Sequence, residues 1–243
     1  MEERRDDSTT PTVSEGYDAL AEEGDDLDPA GSPWGDSHFQ RHYSWPATEA
    51  VLPDVANSRV LLAGCGRGDH VDWFLERGAE VVGVDASEAG VRVACERFGD
   101  EATFRVADLT DPLDFGDDAF DLVVSNLVLS HIEEWPPVFA EFHRVLTPAG
   151  TLAFATVHPL ALRERVDASY YETAAFENDW PCVSISTYYR PIRAVLDALL
   201  SAGFRVEAFE EPTPREEFRE HHPDRYEAAL TRPELLVVRA WTD

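Results

Sequence analysis

The segment 60–85 constrains the fold of this chain more than any other part of it. An apolar run leads into a glycine turn, an amphipathic run and a second apolar run that ends at Asp85, which is the order of a strand, a helix and a strand. Gly64, Gly66 and Gly68 permit a tight turn and let a ligand approach the backbone, where a Cβ would collide. The N–H groups of the following helix face such a ligand, and an acid at the second strand's end can accept hydrogen bonds from ribose hydroxyls. The segment therefore predicts a site for a nucleoside-like cofactor.

The rest of the chain continues this alternation of strands and helices. Further strand-like runs lie at 103–107, 122–125, 151–156, 204–209 and 235–241, and helical patterns at 71–77, 88–98, 138–146 and 192–202. Regular alternation with short connections predicts an α/β fold with a parallel sheet covered on both faces.

Three segments stand apart from this rhythm. Residues 1–30 carry eleven acids and two arginines, and we expect an acidic, partly disordered segment with a short helix from Tyr17. Residues 31–243 are expected to form a single domain. Within it, the dense aromatics of 33–52 indicate packing against a core. The aromatic and polar stretch 158–189 has no clear period and is expected to be an insertion that covers the site.

The charge balance is strongly acidic. There are 48 acids and 20 bases, the net charge is −28, and every base is an arginine. The acids are spread along the whole chain, which predicts a solvated acidic surface and resembles the proteins of salt-loving archaea, in which salt screens the self-repulsion. No basic stripe is present to neutralise phosphates, so we do not expect a nucleic-acid partner.

Composition also narrows the compartment and the metal chemistry. There is no run of 18 apolar residues and no apolar stretch behind the N-terminus, so we expect no membrane partner and a cytoplasmic protein. Cys65, Cys95 and Cys182 are odd in number and not closely spaced, which argues against a disulfide framework and against a metal site.

Polar residues follow two further strands. Asp108 and Leu109 come directly after the run 103–107, where a carboxylate can accept a hydrogen bond from an adenine amino group and the next N–H can reach the ring. Asn126 ends the fourth strand. With the glycine turn and Asp85, these residues lie at the carboxyl ends of consecutive strands, where ligands bind in open α/β sheets.

On these residues, segment 59–159 resembles the class I S-adenosylmethionine-dependent methyltransferases, in the small-molecule subgroup with a UbiE-like core. The glycine turn is similar to the family's first motif, 82–87 to the second, 107–109 to the adenine-binding motif, and 120–125 to the fourth strand. The resemblance extends over about 40–241. It implies a Rossmann-like, doubly wound, seven-stranded sheet that is mostly parallel with an antiparallel last strand.

The resemblance further implies S-adenosylmethionine as the cofactor and a small molecule as the methyl acceptor. The residues expected to contact the cofactor are Tyr43, Gly64, Cys65, Gly66, Asp85, Ala86, Asp108, Leu109, Asn126 and Leu127. In this interpretation the turn passes the methionine part, Asp85 holds the ribose hydroxyls and Asp108 takes the adenine amino group. Ala86 packs on the adenine, and Asn126 with Leu127 flanks the methyl. Tyr43 either contacts the cofactor's carboxylate or anchors the N-terminal segment.

Two positions depart from the family pattern. The family has an acid two positions before the first glycine, which assists the cofactor's amino group, where this chain has Leu62. Asp69 could compensate for this acid, but we expect it to cap the following helix. Many relatives place a histidine where this chain has Ser130, one position before His131.

The catalytic group is left open by the sequence. In-line methyl transfer mainly requires positioning, with a base only for poorly ionised acceptors. His131 and Tyr188 are the candidates, followed by His158 and Tyr189, and for residues of these types packing or capping is a commoner role than catalysis.

Two alternatives of other classes remain. A protein of this fold could bind the adenosyl ligand without catalysis. A nicotinamide-dependent oxidoreductase shares the glycine turn, although Asp69 stands where its fingerprint needs a third Gly or Ala. A DNA or RNA amino-methyltransferase is disfavoured because Leu-Val-Leu follows Asn126.

Overall fold

A computed structural model describes residues 11–23 and 26–243. Its main sheet has seven strands in the order β3-β2-β1-β4-β5-β9-β8, and β6 and β7 form a separate hairpin. The strands are β1 (Arg59–Ala63), β2 (Glu80–Asp85), β3 (Thr103–Val106), β4 (Phe120–Asn126), β5 (Leu146–Val157), β6 (Ala174–Asp179), β7 (Ser184–Tyr189), β8 (Arg205–Glu210) and β9 (Leu235–Trp241). Strand β9 runs antiparallel to both of its neighbours, while β1 to β5 pair in parallel. The expected fold class is confirmed.

The helices are α1 (Val13–Glu23), α2 (Trp45–Glu49), α3 (Val71–Leu75), α4 (Glu88–Phe98), α5 (Trp135–Val145), α6 (Pro159–Leu162), α7 (Ile192–Ser201), α8 (Glu217–His221) and α9 (Pro223–Ala229). A π-helical turn (Gln40–Ser44) precedes α2, and 3-10 turns occupy Leu129–His131 and Arg163–Arg165. Helix α5 begins three residues before its predicted start because its prolines lie in the first turn, where no N–H partner is needed. No helix among the described residues is both long and apolar enough to cross a bilayer.

Helices cover both faces of the sheet. Strand β1 is apolar after Arg59, and its alternate residues belong to two different clusters: Leu61 to one, Leu62 to the other. Since successive side chains of a strand point to opposite faces, the two clusters lie on opposite sides of the sheet. Phe139 of α5 fills the first cluster and Phe74 of α3 the second. This burial on both faces explains why the central strands read as unbroken apolar runs.

Helix α1 lies outside the sheet and packs on α4 and β7. The carboxylate of Asp18 accepts hydrogen bonds from the Ser87 hydroxyl (2.7 Å) and the Ala89 N–H (2.9 Å), in the first turn of α4. The helix begins four residues earlier than the short helix expected from Tyr17. The disorder expected for the first dozen residues falls mostly on residues 1–10, outside the described ones.

Segment 158–189 contains α6, a 3-10 turn and the β6–β7 hairpin. Ile185 of β7 closely approaches Gly16 of α1, where a Cβ would come within 2.7 Å of the isoleucine side chain. The hairpin therefore supports α1 from the side.

Four histidine side chains lie together where residues 38–42 contact the α8–α9 junction. The rings of His38 and His221 stack with centroids 3.7 Å apart, and His38 Nδ1 lies 3.3 Å from His222 Nε2. The ring of His42 also stacks on that of His221, with centroids 5.7 Å apart. We call these residues the histidine cluster. Within 11–23 and 26–243, no group of three or more His, Cys, Asp or Glu side chains is arranged to hold a metal ion.

Candidate functional site

A cavity of about 370 Å³ opens at the carboxyl ends of the central strands. Its volume lies in the range of small-molecule sites. Nine of the ten expected cofactor residues line it: Gly64, Cys65, Gly66, Asp85, Ala86, Asp108, Leu109, Asn126 and Leu127. The topology thus brings residues from four strand ends to one place.

The glycine turn needs its glycines. Gly64, Gly66 and Gly68 have φ values of +82°, +51° and +78°, which L side chains rarely adopt. A Cβ on Gly64 would overlap the side chain of Val128, and one on Gly66 would lie 3.3 Å from the Trp34 ring. The turn therefore presents bare backbone to the cavity.

Asp85 connects the turn to the start of α4. Its carboxylate accepts hydrogen bonds from the N–H groups of Gly66 (2.7 Å) and Ser87 (2.9 Å). Burial raises the pKa of Asp85, while these two bonds act in the opposite direction. A carboxylate oxygen can accept more than one hydrogen bond, so Asp85 can also accept from hydroxyls in the cavity.

Asp108 stands at the other side of the cavity and is exposed. Its Oδ1 accepts from the N–H (2.8 Å) and the hydroxyl (2.7 Å) of Thr110, which orients the carboxylate. Leu109 beside it is buried and gives an apolar wall. The pair suits a planar ring with an amino group at its edge.

Asn126 is the centre of a polar network. Its Oδ1 accepts from the hydroxyls of Ser44 and Thr48, both at 3.0 Å, and its Nδ2 donates to Gln40 Oε1 at 2.8 Å. The next residue, Leu127, has a φ of +62°, an uncommon conformation for a branched side chain at the end of a strand.

The structure places Tyr43 away from the cavity. Its hydroxyl donates to the Pro212 carbonyl (2.8 Å), and its ring, 1% exposed, packs against Phe39 and Phe218. The anchoring role fits this position, and the expected cofactor contact does not, because the ring is held among the C-terminal helices.

Asp69 also differs from expectation. It accepts from the Gly35 N–H (2.8 Å) and from Arg97 (2.8 Å), and it does not cap α3. The turn extends to His70, so the helix begins too late for Asp69 to reach its first N–H groups. Its carboxylate instead holds the loop around Gly35 against the glycine turn.

His131 lies in the cavity wall just after β4. Its Nδ1 is 3.0 Å from the Ser186 carbonyl oxygen, and its Nε2 is 3.0 Å from the Tyr17 hydroxyl. Because a carbonyl only accepts, Nδ1 carries the hydrogen and Nε2 accepts from Tyr17. Burial lowers the pKa of His131 and raises that of Tyr17. Both groups are therefore neutral.

Of the other candidates for a catalytic group, one lines the cavity and two do not. Tyr188 lines the cavity, and burial raises its pKa. His158 and Tyr189 are buried and engaged elsewhere: His158 Nε2 bonds Glu211 at 2.8 Å, and the Tyr189 hydroxyl donates to the Tyr170 carbonyl at 2.8 Å. Their positions are those of packing residues.

Several residues that line the cavity were not predicted from the sequence, among them Tyr17, Gln40, Trp45 and His70. Trp45 lies in the aromatic stretch 33–52, whose density indicated only core packing. The helical pattern around Tyr17 gave no sign of which side chain would reach the cavity.

A protein-family model described as a methyltransferase domain matches residues 61–154. An uncharacterised protein of Haemophilus influenzae is 26% identical over 218 residues, which cover 80% of this chain and 85% of that protein. Nocamycin O-methyltransferase of Saccharothrix syringae is 30% identical over 203 residues, covering 76% of this chain and 68% of the relative. An S-adenosylmethionine-dependent methyltransferase from Mesorhizobium loti with a known crystal structure shares 29% sequence identity with this chain. The two structures align with a TM-score of 0.67 over 81% of this chain and 96% of that one. The chain belongs to the S-adenosylmethionine-dependent methyltransferases.

The methyltransferase spans only about half the length of the malonyl-acyl-carrier-protein O-methyltransferases that it also matches. Its cofactor is S-adenosylmethionine. The nicotinamide-dependent oxidoreductase is not favoured by these relatives.

The residues present fit this cofactor. Gly64 and Gly66 line the cavity without side chains, and a Cβ on Gly64 would overlap Val128, so the turn offers backbone to a ligand there. Asp85 and Asp108 offer carboxylate acceptors to a nucleoside's hydroxyl and amino groups, and Leu109 offers an apolar surface to its base.

Proposed function

We propose that this methyltransferase transfers the methyl group of S-adenosylmethionine to an oxygen atom of a small molecule. The observation that carries the proposal is the neutral His131–Tyr17 pair in the cavity wall, where His131 lies four residues after Leu127 on the chain. An alcohol or phenol must lose a proton as it is methylated, and such a pair can take it. Relatives named as O-methyltransferases, including those of nocamycin and erythromycin, support the same class of acceptor.

The chain's own groups would divide the work as follows. Asp85 holds the ribose hydroxyls and Asp108 the adenine amino group, which fixes the direction of the cofactor. Bound there, S-adenosylmethionine supplies an already activated methyl group, so positioning of the acceptor oxygen contributes most of the remaining rate.

The proton has a route through the pair. The acceptor's hydroxyl donates to the Tyr17 oxygen, and the Tyr17 proton passes to His131 Nε2. The Ser186 carbonyl, already bonded to Nδ1, stabilises the imidazolium that forms. The acceptor oxygen thus gains a methyl group and loses one proton, which His131 holds until solvent removes it.

The cavity wall also limits water around the reacting atoms. Helix α1 and the residues before it contribute Thr12, Val13, Ser14 and Tyr17 to the lining, and β7 contributes Tyr188. We infer that this side of the cavity, with segment 158–189 behind it, selects the acceptor.

Calorimetry in molar salt tests the proposal first. We expect S-adenosylhomocysteine to bind and NAD not to bind. NAD binding without adenosyl-ligand binding would overturn the proposal.

Turnover then tests the acceptor class. Methyl-labelled S-adenosylmethionine and a panel of alcohols, phenols, carboxylic acids and amines should give product with an oxygen acceptor. Ligand binding without turnover on the whole panel would favour the non-catalytic binding protein instead.

A further inference from the structure

The turn that carries His131 divides its side chains between two cavities. His131 lines the cofactor cavity, whereas Ser130, 4% exposed, lines a separate cavity of about 10 Å³. The two residues are neighbours in the same 3-10 turn, Leu129–His131. A shift of the backbone by one residue would therefore place the serine, and not the histidine, at the cofactor cavity. The candidate base is in place only while the backbone of this turn is held.

Arg190 holds the backbone directly after His131. Its guanidinium donates through Nη2 to the Ile132 carbonyl and through Nη1, at 3.4 Å, to the Glu133 carbonyl. A guanidinium can donate to two neighbouring acceptors at once, because its N–H groups form a rigid, planar fork. Carbonyls at the end of a helical turn have no partner within it, so these two bonds fix the path by which the chain leaves the turn.

Trp135 connects Arg190 to the start of the turn. Its indole N–H donates to the Leu129 carbonyl at 2.8 Å, and its ring centroid lies 4.0 Å from Arg190 Cζ, the distance of a cation–π contact. Both side chains are buried, with exposed fractions of 2% and 5%. Burial lowers the pKa of Arg190 to about 10, so the guanidinium is still charged at pH 7. The two residues therefore hold the turn at both ends.

The same stretch of chain also holds the His131 ring. Arg190 follows directly on β7, and Ser186 of that strand supplies the carbonyl that lies 3.0 Å from His131 Nδ1. The segment 186–190 thus contacts both the imidazole and the backbone beyond it. A displacement of a reacting group by about 1 Å can lower a rate about 100-fold, so this support matters for a base that must face its proton donor.

We propose that Arg190 is a positioning residue for methyl transfer, which keeps the turn in the arrangement where His131, and not Ser130, faces the cofactor cavity. The inference rests on the proposed role of His131 as the proton acceptor. Arg190 does not line the cofactor cavity, so it acts through the backbone at 132 and 133 and not by touching the reactants.

Nitrogen NMR of protein labelled with 15N-histidine, with S-adenosylhomocysteine bound, tests this directly. The His131 signal is assigned from its loss in His131→Gln. In the wild type we expect hydrogen on Nδ1 only and a pKa below the ordinary value of about 6.5, because the ring is buried. In Arg190→Met we expect part of the hydrogen on Nε2 and a pKa closer to the ordinary one, since a freer turn lets water reach the ring. Arg190→Lys, which keeps the charge but not the fork, should show the same change to a smaller extent.

Turnover gives a second readout. In Arg190→Met we expect kcat to fall at least about tenfold. The affinity for S-adenosylhomocysteine should stay within about twofold, which also shows that the variant is folded. Because the base must be neutral, turnover is lost as the pH falls through its pKa. The higher pKa of His131 in Arg190→Met should therefore move this loss to higher pH, which the removal of a residue that only stabilises the fold would not do.

Arg163→Met is the matched control. The Cζ of Arg163 also lies near an aromatic ring, 5.8 Å from the centroid of Tyr189, and its Nη1 donates to the Val166 carbonyl at 3.0 Å. Among the described contacts, none joins Arg163 to residues 129–133. This variant should leave the His131 signal and kcat as they are in the wild type.

Three results would overturn the inference. One is a His131 signal in Arg190→Met with the tautomer and pKa of the wild type. Another is an equal change in Arg163→Met, and the third is loss of S-adenosylhomocysteine binding in both Arg190 variants, since each would indicate a general loosening of the domain. Full turnover in His131→Gln would instead overturn the proposed function, and the NMR comparison shows separately whether Arg190 holds the turn.

Discussion

The two ends of the cavity are built in different ways. At the end that we propose holds the adenosine, called the adenosine end below, bare backbone and two carboxylates stand on neighbouring strand ends, and the bond from Gly66 N–H to Asp85 joins residues 19 positions apart. At the methionine and acceptor end, neutral side chains come together from distant segments. Tyr17 and His131 are 114 positions apart, and Gln40 and Asn126 are 86 apart. The first end is a property of the βαβ unit, whereas the second depends on how the N-terminal segment packs onto the domain.

The largest expected effect concerns the adenosine end. Asp85→Ala removes the acceptor for the ribose and the bonds to Gly66 and Ser87, so S-adenosylhomocysteine binding should weaken at least about 100-fold. Calorimetry measures this, with the exposed Asp114→Ala as control. Retained affinity in Asp85→Ala would show that the ribose is held elsewhere.

His131→Gln tests the acceptor end. We expect turnover to fall about 100-fold, the usual contribution of a positioned base, while S-adenosylhomocysteine affinity stays within about twofold. Tyr188→Phe is the comparison, because Tyr188 lines the same wall but makes no bond to His131 among those described. A larger loss in Tyr188→Phe than in His131→Gln would reverse the assignment.

Salt should stabilise the packing of α1 against α4 and β7. Helix α1 carries four acids and no base, and the whole chain has a net charge of −28. Molar salt screens this repulsion, so the melting temperature should rise by roughly 5 °C or more between millimolar and molar KCl. The same melting temperature at both concentrations would count against adaptation to salt.

Acid should weaken the contact between residues 38–42 and the α8–α9 junction through the histidine cluster. Burial first, and then neighbouring histidines and arginines, lower the pKa values of His38, His42 and His222. Below the ordinary histidine pKa of about 6.5 the unfolded chain therefore binds more protons than the folded one, and stability falls as the pH decreases from 7 towards 5.

Melting curves at pH 7.5 and 5.5 measure this loss. Other buried histidines contribute in the same direction, so the comparison with His222→Gln isolates the cluster: the variant should lose less stability than the wild type. An equal loss of stability in the wild type and in His222→Gln would show that the histidine cluster does not contribute to the pH dependence.

The adenosine end could be predicted from the sequence because its geometry is local. Glycines at positive φ after the strand 60–63, and acids at the ends of the strands 81–85 and 103–107, need only the alternation of strands and helices to converge. The seven-stranded, mostly parallel sheet with its antiparallel last strand followed from the family resemblance.

The other end could not be predicted in this way. Gln40 and His70 form no motif, and their approach to Asn126 depends on the packing of Trp45 against His70. Tyr43 was expected at the cavity for a similar reason. Its position depends on tertiary packing, and the local sequence does not distinguish a tyrosine that lines the cavity from one that is buried away from it. Asp69 was misjudged because a one- or two-residue change in where α3 begins decides whether it can act as a cap.

The attachment of α1 through Asp18 has a consequence for the speed of turnover. Asp18 bonds the hydroxyl of Ser87, and the N–H of the same Ser87 bonds Asp85. Ser87 thus connects helix α1, through Asp18, with Asp85, the residue that we propose holds the ribose hydroxyls. Opening of α1 would break the bond from Ser87 to Asp18, so ligand residence time and the opening rate of the helix should be coupled. Amide hydrogen exchange in Val13–Glu23 should accordingly slow when S-adenosylhomocysteine is bound, and Asp18→Ala should shorten the lifetime of the complex more than it lowers the rate of its formation.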